Sequence, residues 1–209
     1  MLAMRTCRFC GYMASPPVCT KCGKAYPANT TVAIVGKAQK TCVYAPYDNL
    51  GIDIWVYNDF AFKHASRVSA MFEMHMDAAD RPERYSAEYS DWLRQPHNFP
   101  IWMHAPDPRV PASVRYPREE ISERFLRHVW RGPDQVQNFF TSSTPYALAL
   151  ALFLGYERID LYGIELSSTP EYTAERDCVF FWEGVANALG VDVVVHPLTN
   201  LYDAQIYGL

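Results

Sequence analysis

The chain is expected to fold as an α/β protein on a doubly wound, mostly parallel sheet, preceded by a small cysteine-rich module. Three observations lead there. From Thr31 onward, short apolar runs that end in glycine or polar residues alternate with stretches of helical periodicity. That alternation is the pattern of βαβ units, whose strands are buried on both faces and read as continuous apolar runs. Four of the six cysteines fall near the start as two Cys-x2-Cys pairs. Finally, 209 residues with 49% hydrophobic and 14% aromatic side chains can bury a sizeable core, and that length accommodates one domain plus a small module.

The module comes first. "CRFCGYMASPPVCTKCG" carries Cys7, Cys10, Cys19 and Cys22, with a glycine after the second cysteine of each pair. Each turn aims two thiolates at one spot, and four thiolates complete the tetrahedron of a closed structural zinc site. A redox dithiol is the rival reading, but two pairs this close favour a shared metal. A zinc ligated by four thiolates has no open position, so its expected role is to fold residues 1–28 rather than to catalyse. Such a module docks on protein or nucleic acid, or staples onto the main domain; both readings stand. "YPANT", from Tyr26 to Thr30, reads as the linker to a domain spanning 29–209. Cys42 and Cys178 stand apart from the set, and Cys178, inside "ERDCVFFW", is expected to be packed.

The main domain opens with "TTVAIVGKA", a β-branched run stopped by Gly36. "IDIWVYND" supplies the second strand and ends in Asn58 and Asp59; "VSAMFEMH" supplies the third. Short candidates follow around Ile101 and Val114. "PREEISERFLRHVW" has helical spacing: Pro117 leads in, Glu119 and Glu120 suit the first turn, and Ile121, Phe125, Leu126 and Val129 share a face. A helix is expected from Pro145 to Leu154 with Gly155 as its C-cap, then a strand from Ile159 to Tyr162. "ERDCVFFWEGVANALG" is an amphipathic helix stopped by Gly190, and "VDVVVHP" is the last strand. The stretch from Asp77 to Pro117 is the least regular and is expected to hold a loop or lid.

Charge and hydropathy exclude some classes. A net charge of -4 argues against a broad nucleic-acid footprint, which needs a clustered excess of Lys and Arg. No apolar run approaches the roughly 20 residues that span a bilayer, and "MLAMRTCRFC" lacks the apolar stretch of a signal peptide. A cytoplasmic protein with no membrane partner is expected.

In open α/β sheets, ligands bind beyond the carboxyl ends of the strands, where the strand order reverses. The first strand delivers Gly36 and Lys37 there, the second Asn58 and Asp59, the third Glu73 and His75. Later strands deliver His104, the corner Gly163-Ile164-Glu165, and His196. "GKAQKT" is neither a P-loop nor a dinucleotide fingerprint, yet a glycine with two lysines can cradle a phosphate. Asn58 and Asp59 either cap a following helix or hold a ribose. His75 is a structural histidine or, beside Glu73, a catalytic one.

The most pointed signal is Thr141-Ser142-Ser143-Thr144 ahead of Pro145. Proline suits the first helical position, which makes Ser143 or Thr144 the expected N-cap. One hydroxyl suffices as a cap. The surplus hydroxyls and free N–H groups at a positive helix end make an anion site, and a nucleotide phosphate fits it. A capped helix with solvated neighbours is the plainer reading.

"TSSTPYALALALFLGYERIDLYGIEL" resembles a stretch of the sialyltransferases of glycosyltransferase family 42 and of the 6-hydroxymethylpterin diphosphokinase-like family. In both, a Ser- or Gly-bearing turn enters an Ala-rich helix followed by "LG" and a strand ending in "GID" or "GVD". The frame of "VAIVGKAQ", "DIWVYND", "FEMH" and the terminal "YGL" is similar to phage and prophage proteins of that Rossmann-like type, which would place the chain in a host cytoplasm. The resemblance spans Thr31 to Leu209. It implies a nucleotide or nucleotide-sugar ligand across the carboxyl edge of the sheet, with Ser142 and Ser143 at the ligand turn. Ser143 stands where glycine is frequent, and Glu165 replaces an aspartate; an acid there could serve Mg2+. The expected activity is transfer of a glycosyl or phosphoryl group from a nucleotide-activated donor. His75 or Glu73 would act as base, with Ser142, Ser143 and Lys37 steadying the leaving phosphate. The alternatives are a non-catalytic nucleotide-binding protein that sequesters a signalling nucleotide, and a zinc-ribbon interaction module on an inert scaffold.

Overall fold

In a computed structural model, the described residues are 29–75, 86–127, 139–166 and 170–202, with the backbone of 5–6 and 13–14. The N-terminal segment contributes two short strands, β1 (Arg5–Thr6) and β2 (Met13–Ala14), paired antiparallel. Cys7, Cys10, Cys19 and Cys22 lie outside the described residues.

The main domain is a seven-stranded sheet in which every neighbouring pair is parallel. Its strands are β3 (Thr31–Val35), β4 (Ile52–Tyr57), β5 (Ala70–Phe72), β6 (Ile101–Met103), β7 (Ser113–Arg115), β8 (Arg158–Tyr162) and β9 (Asp192–Val195). In space they run β7-β6-β5-β4-β3-β8-β9. The chain builds outward from β3 to one edge, then returns to the other side of β3 through β8. The order therefore reverses between β3 and β8, the switch point where a crevice opens.

Alternation along each strand sends side chains to two cores. Val32, Ile34, Trp55, Tyr57, Ala70 and Phe72 join one. It is covered by α4 (Arg118–Phe125), α5 (Ser143–Leu154) and α6 (Pro170–Ala188). Ala33, Val35, Ile54, Val56, Met71 and Ile101 join the other. That side is covered by α1 (Gln39–Cys42), α2 (Phe60–Lys63) and α3 (Ala87–Leu93). Helices thus lie on both faces, as a doubly wound sheet requires.

Helix α5 is apolar all round, and ten of its twelve residues are buried. A helix with no polar face must be enclosed, and this one is wedged between the sheet, α4 and α6. Gly155, at φ 89°, ends it in the left-handed conformation, which favours glycine. The segment from Asp77 to Pro117, expected to hold a loop or lid beside strand candidates around Ile101 and Val114, contains those two strands as β6 and β7, and α3 as well. Helix α3 is fixed by Ser86, whose hydroxyl accepts from the Tyr89 N–H at 3.2 Å. No helix of the described residues is long and apolar enough to cross a membrane.

Candidate functional site

Strand register brings the candidate residues level with one another. Val35 lies opposite Val56 on one side and Tyr162 on the other, so Gly36, Asn58 and Gly163 emerge from the sheet close together. At that point two backbones touch. A Cβ on Gly36 would lie 2.4 Å from the Gly163 carbonyl oxygen, and a Cβ on Gly163 2.4 Å from that of Gly36. Gly163 also sits at φ +63°. The contact is held by hydrogen bonds from Gly36 N–H to Tyr162 O at 2.8 Å and from Ala38 N–H to Gly163 O at 2.9 Å. The buried Thr41 hydroxyl accepts from Gly163 N–H at 2.6 Å.

Above this junction opens a cleft of about 680 Å³, within the size range of small-molecule sites. Gly36, Lys37, Asn58, His75, Ser142, Ser143 and Glu165 all line it. Tyr57, Thr141, Thr144, Glu175 and Asn200 line it as well. Thr141 and Thr144 belong to the hydroxyl run that the sequence placed at the helix start, whereas sequence reasoning did not assign Tyr57, Glu175 or Asn200 to the cleft. Asn200 follows the last strand by a short turn, and extending the strand-end rule past His196 would have found it.

The hydroxyl run enters the cleft in a register different from the one expected. Ser142 is the N-cap, extended at φ -154°, and α5 starts at Ser143. Pro145 is therefore the third helical residue. The N–H groups of a whole first turn lack intrahelical partners, so proline is tolerated throughout it and does not mark its first position. The segment entering α5 is anchored by Trp182 of α6, whose indole N–H donates to Phe139 O at 2.7 Å. On the other wall the Thr199 hydroxyl donates to Ile164 O at 2.5 Å and steadies the Glu165 corner.

Three buried oxygens in this cleft, Asn58 Oδ1, Ser142 Oγ and Glu165 Oε1, have no hydrogen-bond partner among the described residues. Buried polar atoms are nearly always paired, so each orphan asks for an account. Asn58 is also in the left-handed region at φ 49°. Three such acceptors converge on one crevice, an arrangement able to accept hydrogen bonds from a polar ligand. Donors line the same cleft: Lys37, whose ammonium donates to Asp59, and the Ser143 and Thr144 N–H groups at the positive end of a twelve-residue helix.

Several residues expected at the carboxyl edge are not cleft residues. Asp59 is not among the lining groups; it pairs with Lys37 and, at 2.6 Å, with Lys63. Burial alone would raise its pKa, but the two ammonium groups outweigh that and hold the carboxyl below its ordinary value. Glu73 was expected to face the cleft beside His75. It is instead fully buried, because its side chain turns toward α3. It accepts from Tyr89 OH at 2.5 Å and lies 2.6 Å from His75 Nδ1. His75, about 30% exposed, is the member that lines the cleft. It lines a second cavity too, of about 250 Å³, formed by the β6 end with His104, Asp107 and Arg109. Burial, then the Arg118 charge, lower the His104 pKa, with Glu119 opposing. His196 does not line the cleft; its ring stacks on Tyr44 at 5.0 Å.

Among the described residues, no group of three or more His, Cys, Asp or Glu side chains is arranged to hold a metal ion. The acids lining the cleft are Glu165 and Glu175.

No family model matches the chain, and no curated protein matches it in sequence. Solved structures do. The chain is similar to the monofunctional alpha-2,3-sialyltransferase Cst-I from Campylobacter jejuni, with a TM-score of 0.52 at 13% identity, over 88% of this chain and 86% of that one. It is also similar to the sialyltransferase CstII from Campylobacter jejuni in complex with the substrate analogue CMP-3FNeuAc. There the TM-score is 0.51 at 14% identity, over 83% of each chain. At such identities the likeness is one of fold, and it extends along most of the main domain.

Proposed function

We propose that the protein is a glycosyltransferase whose nucleotide-activated donor binds in the cleft between β3 and β8. The observation that carries this reading is the convergence of three unpartnered acceptor oxygens with a lysine and a helix start at the switch point. A nucleotide has the complementary pattern. Its phosphate needs the donors, Lys37 and the start of α5; its ribose hydroxyls and base amino group suit Asn58, Ser142 and Glu165. Fold neighbours that are sialyltransferases, one of them holding a cytidine monophosphate sugar analogue, favour glycosyl over phosphoryl transfer.

In this reading an acceptor hydroxyl approaches from the side of His75, which gives onto both cavities. His75 takes the hydroxyl proton as the acceptor oxygen bonds to the anomeric carbon. The bond from that carbon to the phosphate oxygen breaks, and the nucleotide leaves with the electron pair. Lys37 and the α5 N-terminus stabilise the charge that develops on the phosphate. Magnesium needs only one or two protein carboxylates beside phosphate oxygens, and in this reading Glu165 would be one.

The test is a thermal-shift screen of nucleotides and nucleotide sugars. A ligand at 100 times its Kd stabilises by about 2.7 kcal/mol. Lys37→Ala and Ser142→Ala are expected to weaken nucleotide affinity at nearly unchanged melting temperature. His75→Ala should leave affinity alone and lower turnover by roughly 10²–10⁴-fold, the usual range for a lost general base. Binding of every tested nucleotide by both cleft variants as by the parent would place the site elsewhere. Tight binding with no release of nucleotide from any donor would make the protein a nucleotide-binding module.

A further inference from the structure

We propose that Tyr89 and Glu73 are positioning residues that fix His75 with its proton on Nδ1, leaving Nε2 as the nitrogen that can accept a proton in the transfer reaction. The inference rests on the donor-cleft reading for its chemistry, but its geometry stands on separate residues. Glu73 follows β5 directly and has no exposed surface. A carboxylate that is fully buried must be hydrogen-bonded to be tolerated. Three groups hydrogen-bond to it: Tyr89 OH at 2.5 Å on one oxygen, and on the other His75 Nδ1 at 2.6 Å with His75 N–H at 3.2 Å. Both Tyr89 OH and the backbone N–H are donors, and an ionised carboxylate only accepts. With Glu73 as a carboxylate, its second oxygen can only accept at that short distance, which assigns the proton to Nδ1.

Tyr89 is itself immobilised. It is 1% exposed, its N–H is capped by Ser86, and its ring stacks with Trp92 at 6.0 Å. The intervening segment between β5 and β6 thus sends back one hydroxyl to orient a histidine at the end of β5. The pattern is that of a base oriented through one nitrogen by a buried carboxylate so that the other nitrogen can act. Among the described residues, the titratable and charged groups on the far side are His104, at the end of β6, with Asp107 and Arg109 in the same cavity and Arg118 and Glu119 behind it. His104 shares that cavity with His75, and Glu73 does not line it.

The test is nitrogen and proton NMR of the His75 ring in the full chain, in the parent, Glu73→Gln and Tyr89→Phe. Both substitutions preserve side-chain shape closely. In the parent, Nδ1 should carry the proton, with its resonance far downfield. Glu73→Gln should move that resonance upfield, because a neutral amide oxygen is the weaker acceptor. Tyr89→Phe should move it further downfield, because the carboxylate then shares its charge with one partner fewer. In turnover, Glu73→Gln should lower kcat by roughly 10²-fold or more with nucleotide affinity unchanged. A neutral ring protonated on Nε2, or a resonance indifferent to both substitutions, overturns the proposal even where nucleotide binds. Failure to bind any nucleotide, with these NMR signatures intact, would remove the donor reading and leave the oriented histidine.

Discussion

Gly163 shows how much one residue decides at the switch point. Its φ is positive, and an added methyl would lie only 2.4 Å from Gly36 O, which leaves no room for any side chain. Gly163→Ala should destabilise the domain by about 2–4 kcal/mol, combining backbone strain with overpacking, measurable by denaturant unfolding. Gly36→Ala meets the same obstacle from the other strand. Glu183 of α6 makes a second prediction at this scale. Burial raises its pKa to about 7, with the Tyr202 hydroxyl opposing. The folded state therefore favours the protonated acid. Its contribution is fully present below pH 4.5, the unfolded value, and is lost as pH rises to about 7. Because the group is partly exposed, the loss should be about 1–2 kcal/mol. Glu183→Gln should flatten stability over that window; an unchanged pH profile would refute the assignment.

At the scale of elements, the four-hydroxyl run was legible as the mouth of the cleft it lines, while the boundary of α5 was not. Sequence placed the helix start at Pro145, and the structure starts it at Ser143, because proline is compatible with any place in the first turn. The exposed candidates at strand ends were legible for the same reason that ligands gather there. The orientation of Glu73 was not, since α3 lies within a stretch of weak periodicity and nothing local says that Tyr89 will come to meet the carboxyl. The cysteine module is an element whose reading rests on spacing alone. We expect one zinc per chain on Cys7, Cys10, Cys19 and Cys22, with four thiolates and no open position. Metal analysis of the purified full chain should find it, and chelation should melt residues 1–28 before the main domain. Absence of zinc, or a disulfide among the four in reduced protein, would end that expectation.

For the molecule as a whole, the repeated alternation of apolar runs and helical stretches determined an α/β domain with a parallel sheet and helices on both faces. It did so because strand and helix periods are local properties, written in neighbouring side chains, and because parallel strands need crossovers that the sequence displays. Sequence also determined which residues stand at strand ends. Only the tertiary structure decided the spatial order β7-β6-β5-β4-β3-β8-β9. From that order follow the crevice between β3 and β8, the meeting of Gly36 with Gly163, and the separation of His75 in the cleft from Glu73 behind it. Strand order is set by how crossovers pack two nonlocal cores against the sheet, and no window of sequence short enough to have a period contains that information.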